Sequence, residues 1–231
     1  MEFFDSLINE FHDTCKGTLQ KHFEFSTEKL WNENDYSQVI LQRDTAYELD
    51  GTGFNMVTSM PVIDETVVIG DDLQQIRKNR SFARICIVQL EDNDDEQKLY
   101  NLIRKVDYVK YHFFPEGYMI RTSSRAHKEA VRVSKSAISK GISFERLGNQ
   151  LIKRYKENPS VKGVKVIFIT DLSLDYKSIE SMAQKNNSIT ETLNHIINSV
   201  NFDCDTCNLK AICDEVEGMK ELHFKNAQRG M

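Results

Sequence analysis

Proline is nearly absent, at three residues in 231, and glycine is sparse at ten. The chain therefore has few obligatory breaks, and most of it is expected to be regular structure joined by short connections. No run approaches the roughly 20 apolar residues needed to cross a bilayer, which excludes a membrane-spanning helix. The opening Met-Glu-Phe-Phe-Asp is acidic where a secretory signal is basic, so a cytoplasmic protein is expected. Positive charge is not in excess. Thirty Lys and Arg stand against 35 Asp and Glu, with a pI near 5.7, which argues against a nucleic-acid or anionic-membrane binder. Walker P-loop, GxGxxG, HExxH and GxSxG patterns are all missing, and with them the usual signals of nucleotide hydrolysis, dinucleotide redox, zincin and serine-hydrolase chemistry. The acidic run Asp92-Asn-Asp-Asp-Glu96 lacks EF-hand spacing and reads as a solvated helix start. Trp31, the one tryptophan, reads as a core or interface residue.

Cysteine is also scarce, at five residues, but three of them gather as Cys204-x2-Cys207-x5-Cys213, and after nine intervening residues stands His223. An odd count in a reducing compartment points to metal binding or redox chemistry rather than a disulfide framework. Thiolates two residues apart converge on one ion or one iron–sulfur corner, because the turn between them aims both sulfurs at the same point. Three thiolates and one imidazole form a closed tetrahedral zinc set, and they equally hold a 4Fe–4S cluster. The spacing is not that of a zinc ribbon, since no second CxxC follows. Asp203, Asp205, Asp214, a water or a partner's side chain are alternatives to His223 as fourth ligand. The competing reading is a set of thiols that never meets a metal. Cys86, inside an apolar run, and Cys15, on the apolar face of a helical pattern, read as small core residues.

Apolar spacing predicts an amphipathic first helix over residues 3–23, with Phe4, Leu7, Ile8, Phe11, Cys15, Leu19 and Phe23 on one face. Residues 32–67 are mixed, with Asp50-Gly-Thr-Gly53 as a turn between short extended pieces. The nearly continuous β-branched run from Ala83 to Leu90 predicts a central strand buried on both faces. A helix carrying Leu99, Leu102, Ile103 and Val106 follows, its acidic start suiting the helix dipole. Then come a strand over 118–122, helices over 125–140 and 143–155 separated by Gly141, and a strand over 164–170. Finally, Ser188-Ile-Thr-Glu191 reads as a capping box opening a helix through Leu193, Ile196, Ile197 and Val200. The fold class is α+β with α/β character: a mixed sheet flanked by helices, with an N-terminal helix and a C-terminal metal-binding cysteine segment. Three parts are expected: an N-terminal helix and extension over 1–60, the α+β domain over 61–175, and a helical cysteine-bearing segment over 176–231.

Basic residues gather after the strand at 118–122. Arg121, Arg125, Lys128, Arg132 and Lys135 follow it, and Arg146, Lys153 and Arg154 lie on the next helix. Forked guanidinium groups there suit phosphate oxygens, and the bland alternative is a set of solvated helix faces.

The motifs Val68-Ile-Gly-Asp-Asp-Leu73, Tyr118-Met-Ile-Arg-Thr-Ser123, Ala137-Ile-Ser-Lys-Gly-Ile-Ser-Phe-Glu-Arg-Leu-Gly-Asn-Gln-Leu-Ile152 and Val164-Lys-Val-Ile-Phe-Ile-Thr-Asp171, with the 83–90 strand between them, resemble the middle domain of acetyl-CoA synthase. That enzyme is the β subunit of the carbon monoxide dehydrogenase/acetyl-CoA synthase complex. The resemblance covers roughly residues 67–172. It implies coenzyme A or an acyl thioester as ligand, held by Arg121, Arg125, Arg132 and Arg146. It also implies an iron–sulfur cluster, of 4Fe–4S type, on Cys204, Cys207, Cys213 and His223. In the family the cubane is bridged through a cysteine to a dinuclear nickel site, and the Cys-Gly-Cys motif that holds the distal nickel has no counterpart here, so the full acetyl-CoA synthase reaction is not expected. What remains is a protein acting with a protein partner in anaerobic acyl or one-carbon chemistry. The alternative is a non-enzymatic, zinc-bearing assembly or regulatory module.

Overall fold

From Phe82 to Val88 every side chain is buried, as the apolar run requires of a strand covered on both faces. In the computed structural model this strand, β4 (Arg80–Leu90), is the middle one of seven. The structure describes residues 3–91, 95–123, 128–197, 209–216, 218, 219 and 222. The sheet runs β1-β3-β7-β4-β2-β6-β5, comprising β1 (Gln20–Glu24), β2 (Thr45–Thr58), β3 (Glu65–Ile69), β5 (Tyr118–Ser123), β6 (Lys128–Ser134) and β7 (Val161–Ile169) around β4. Strands β2 and β4 are parallel, as are β3 and β7, and the remaining pairs are antiparallel. The α+β expectation, a mixed sheet with helices, holds.

Helix α4 (Phe144–Lys156) lies over β3 and β7. Ser143 caps its first turn by accepting from the Arg146 amide, and its buried face begins with Phe144, whose ring stacks on Phe168 at 4.4 Å between centroids. Gly148 makes that approach possible, because a Cβ there would sit 2.0 Å from Thr66 Oγ1. Helix α5 (Tyr176–Ile197) packs on β2 and β4. Against α5 lie α1 (Asp5–Thr14), α2 (Glu96–Tyr108) and the short α6 (Lys210–Glu215). A further short helix, α3 (Lys135–Ser139), follows β6 directly. Among the described residues β6 pairs with β2 only as far as Thr52. Beyond that point the Asn186 side chain of α5 donates to the Asn55 carbonyl at 2.8 Å, satisfying a backbone acceptor at the strand's edge.

Four local expectations are corrected. The first helix stops at Thr14, Gly17 turns the chain at φ +82°, and residues 20–24 pair with β3 instead of continuing the helix. Leu19, assigned to its buried face, is 79% exposed. Asp50-Gly-Thr-Gly53 is not a turn but the middle of the 14-residue β2. Its glycines serve close approach: a Cβ on Gly51 would meet the Phe82 carbonyl oxygen at 1.6 Å, and one on Gly53 would meet Glu129 Oε2 at 2.0 Å. The helix over 125–140 is replaced by β6 and the short α3. Glu129, Val131 and Val133 are buried in alternation with more open neighbours, a period of two obscured by the Lys, Arg and Ser content. Ser188 does not open a helix, because α5 begins twelve positions earlier; Thr192 Oγ1 instead donates back to the Ser188 carbonyl at 2.7 Å.

The glycine analysis yields a direct comparison in urea. Gly53→Ala forces a methyl group into the Glu129 carboxylate and should cost roughly 3 kcal/mol. Gly141→Ala, at φ +85° with nothing within 4 Å, should cost only about 1 kcal/mol of backbone strain. Equal losses would contradict the steric account of β2.

Candidate functional site

Arg84 leaves β4, crosses β2 above Gly53 and meets Glu129 of β6. The pairing register puts Gly53 beside Arg84 and Gly51 beside Glu129. Arg84 Nε donates to Glu129 Oε1 at 2.8 Å and Nη2 to Oε2 at 2.7 Å, and both side chains are almost wholly buried. The remaining nitrogen, Nη1, donates to Asn55 Oδ1 at 3.3 Å and to Cys86 Sγ at 3.1 Å. Asn55 Oδ1 also accepts from Tyr155 Oη of α4 at 2.8 Å. Burial opposes the Arg84 charge, yet Glu129 alongside holds its pKa well above the usual value. Burial pushes the Cys86 thiol and the Tyr155 hydroxyl up. Cys86 is thus a core residue, as expected, with a polar role added. Arg84, Glu129, Cys86 and Tyr155 are all almost wholly buried, so the network's role is positional: it fixes β6 against the centre of the sheet.

The strands it fixes carry two of the four arginines assigned from sequence. Met119, Arg132 and Glu48 are cross-strand neighbours, as are Arg121, Ala130 and Asp50, so these side chains share one face of β5, β6 and β2. There they line a hollow of about 230 Å³. Arg132 is paired with Glu48; Arg121 is exposed. Two carboxylates, Glu48 and Asp50, temper the positive charge. Arg146 is elsewhere, on α4, with its guanidinium 5.8 Å from the centre of the Trp31 ring. Trp31 is buried and donates to the Glu116 carbonyl at 2.8 Å, which makes it a core residue. Arg125 lies outside the described residues.

Sequence reading missed a larger feature beside this hollow. A cleft of about 880 Å³ opens between residues 36–44 and Glu116, Gly117, Ser134 and Ser136. The Ile40 amide, 3.4 Å from Met119 Sδ, joins the wall of this cleft to the wall of the hollow. Residues 36–44 have no helical or strand period, and their one signal is apolar side chains without a pattern that buries them.

Of the four proposed metal ligands, Cys204, Cys207 and His223 lie outside the described residues. Cys213 is on α6, half-buried and packed against the core. Among the described residues no group of three or more His, Cys, Asp or Glu side chains is arranged to hold a metal ion. Cys15 packs in the core, where burial pushes its thiol up to about 11.

Together these features define an α+β protein with a buried ion pair beneath an arginine-bearing sheet edge, and no described helix is long and apolar enough to cross a membrane. The chain belongs to the family of the CO dehydrogenase/acetyl-CoA synthase complex beta subunit, which it matches over residues 21–174. The match reaches from β1 past β7 and so takes in β2, which carries Gly53. Compared with individual curated proteins, the chain has no significant match.

Two outcomes test this description. Glu129→Ala should cost roughly 3–5 kcal/mol in denaturant melts, because it strands a buried cation, whereas Arg84→Met combined with Glu129→Leu should recover most of that loss. If the double variant is as unstable as the single one, the pair is more than an ion pair in a dry site. Iodoacetamide at pH 8 should leave Cys15 and Cys86 unmodified in native protein and alkylate both after unfolding, read by peptide mass spectrometry.

Proposed function

We propose that this chain binds coenzyme A or an acyl thioester on the Arg121–Arg132 face, holds an iron–sulfur cluster on Cys204, Cys207, Cys213 and His223, and works with a protein partner in anaerobic acyl or one-carbon chemistry. The observation that carries the reading is the meeting of Arg121 and Arg132 in one hollow, in a member of the acetyl-CoA synthase beta-subunit family. Coenzyme A bears a diphosphate and a 3′-phosphate, and guanidinium forks match such oxygens in pairs. A phosphate group competes with Glu48 for Arg132 and finds Arg121 open to solvent. Arg125, between β5 and β6 in sequence, belongs to the same proposed set, and Arg146 does not.

The metal reading rests on donor chemistry and family. Three thiolates and an imidazole suit an iron–sulfur cluster or zinc, and the half-buried Cys213 on α6 keeps its sulfur near the surface of the core. A bound cluster supplies electron transfer or, through an open coordination position, a Lewis acid. The family is described as the beta subunit of a complex, which supports a partner subunit. In this reading the 1–60 extension and the 176–231 segment join the 61–175 domain, the first lending β1 and β2 to its sheet and the second covering that sheet with α5, and the protein works in the cytoplasm.

Purification without oxygen followed by iron, sulfide and zinc analysis tests the cluster. Stoichiometric iron and sulfide with broad visible absorption, both lost in Cys207→Ala, is the expected result. About one colourless zinc per chain would instead establish the assembly-module alternative. For the ligand, calorimetry should show coenzyme A binding weakened about tenfold, near 1.4 kcal/mol, by Arg121→Ala and by Arg132→Ala, and untouched by Arg146→Ala. Equal binding by all three variants would overturn the assignment.

A further inference from the structure

We propose that residues 36–44, with the outer edge of β5, form the docking surface for an extended apolar segment of a partner subunit, flanked on that partner by carboxylates. The inference rests on the partner reading above and gives it a place.

The segment leading into the cleft is pinned, not loose. The Asn34 amide donates to the Phe114 carbonyl and the Glu116 amide to the Asn32 carbonyl, both at 2.9 Å. Gln38 Oε1 accepts from the Gly117 amide at 3.4 Å, and Ile40 is buried at 5% exposure with its amide on Met119 Sδ. The residues on either side of Ile40 nevertheless point outward. Val39 is 75% exposed, Leu41 55% and Tyr36 69%. Three of the eight large hydrophobic side chains exposed among the described residues therefore fall within six consecutive positions, held there by the Gln38 side chain, the Ile40 amide and the backbone bonds of Asn32 and Asn34 just before them. Apolar groups clustered and fixed at a surface mark an interaction site.

The shape favours a protein over a small ligand. A small molecule is enclosed by its pocket over most of its surface, whereas Tyr36, Val39 and Leu41 protrude beside the cleft and are covered only by something broad laid across them. Among the described residues strand β5 ends the sheet and pairs on one side only, with β6, so its other edge offers main-chain groups to an added strand. Charge sets the partner's flanks. Lys135 Nζ lies on the Arg43 carbonyl at 3.0 Å, and among the described residues neither Arg43 nor Lys135 has a carboxylate partner. Glu116 across the cleft is already paired with Lys140. Asp44 beside them offsets one of these two charges, and a carboxylate next to the docked apolar side chains answers the other.

The test uses the full chain and a purified CO dehydrogenase subunit from the same source, the other component named in the family's description, with binding measured by sedimentation. Val39→Asp and Leu41→Asp should each weaken binding on the order of tenfold or more. Leu172→Asp, at another exposed apolar position (59%), should change nothing, and all three variants should melt like the parent chain. Binding by the parent that survives both cleft variants would overturn the surface while sparing the partner. No binding by the parent would overturn the partner reading and this inference with it. Displacement of the subunit by coenzyme A, with coenzyme binding itself lost in Val39→Asp, would make the cleft a small-ligand pocket and overturn the docking assignment.

Discussion

One buried ion pair governs the layout of this protein. Removing two charges from water costs several kcal/mol per ion, so such a pair persists only where further hydrogen bonds complete it. Here Arg84 places every guanidinium nitrogen: two on Glu129 and the third on Asn55 and Cys86. The pair spans three strands, and the strand it crosses must carry glycine at position 53 to let it pass. Asn55 then links the pair to Tyr155 on α4, while its backbone carbonyl takes the Asn186 amide from α5. A single polar cluster thus sets the relative positions of the sheet, helices α4 and α5 and the strand that carries Arg132.

That arrangement explains what could be read from the sequence and what could not. Strands β4 and β7 were legible because burial on both faces demands nearly unbroken apolar runs, and α2 and α4 because their buried faces repeat with helical period. Strand β6 was hidden because its inward positions include a glutamate. Glu129 reads as a surface residue until the arginine 45 positions earlier in the sequence is known to reach it. The glycines at 51 and 53 were misread for the same reason: glycine in a short motif signals a turn, and only the tertiary approach of Phe82 and Glu129 gives these two another purpose. Leu19 and Phe23 continued a helical spacing that Gly17 interrupts in space but not in pattern.

The candidate site divides along the same line. The convergence of Arg121 and Arg132 depends on β5 and β6 being adjacent antiparallel strands, whereas the sequence suggested a strand followed by a helix; the right residues were named on the wrong element. Arg146 was grouped with them by closeness in sequence, but α4 carries it to Trp31. The cleft beside residues 36–44 left no periodic mark, because an irregular segment held through the Gln38 side chain and the Ile40 amide has no repeat to detect. The family resemblance was legible over the second half of the sheet, and the match to residues 21–174 extends it through β1 and β2.

The order of the strands also bears on how the molecule is made. Strand β7 sits between β3 and β4, yet it is the last of the seven to leave the ribosome. Until residue 169 emerges, the inner borders of β3 and β4 have no neighbour, and two apolar strand edges wait for the segment that closes them. Pairings of such long range are slow to form and leave sticky intermediates. Synthesis of this chain therefore passes through a stage that a holding chaperone is suited to shelter.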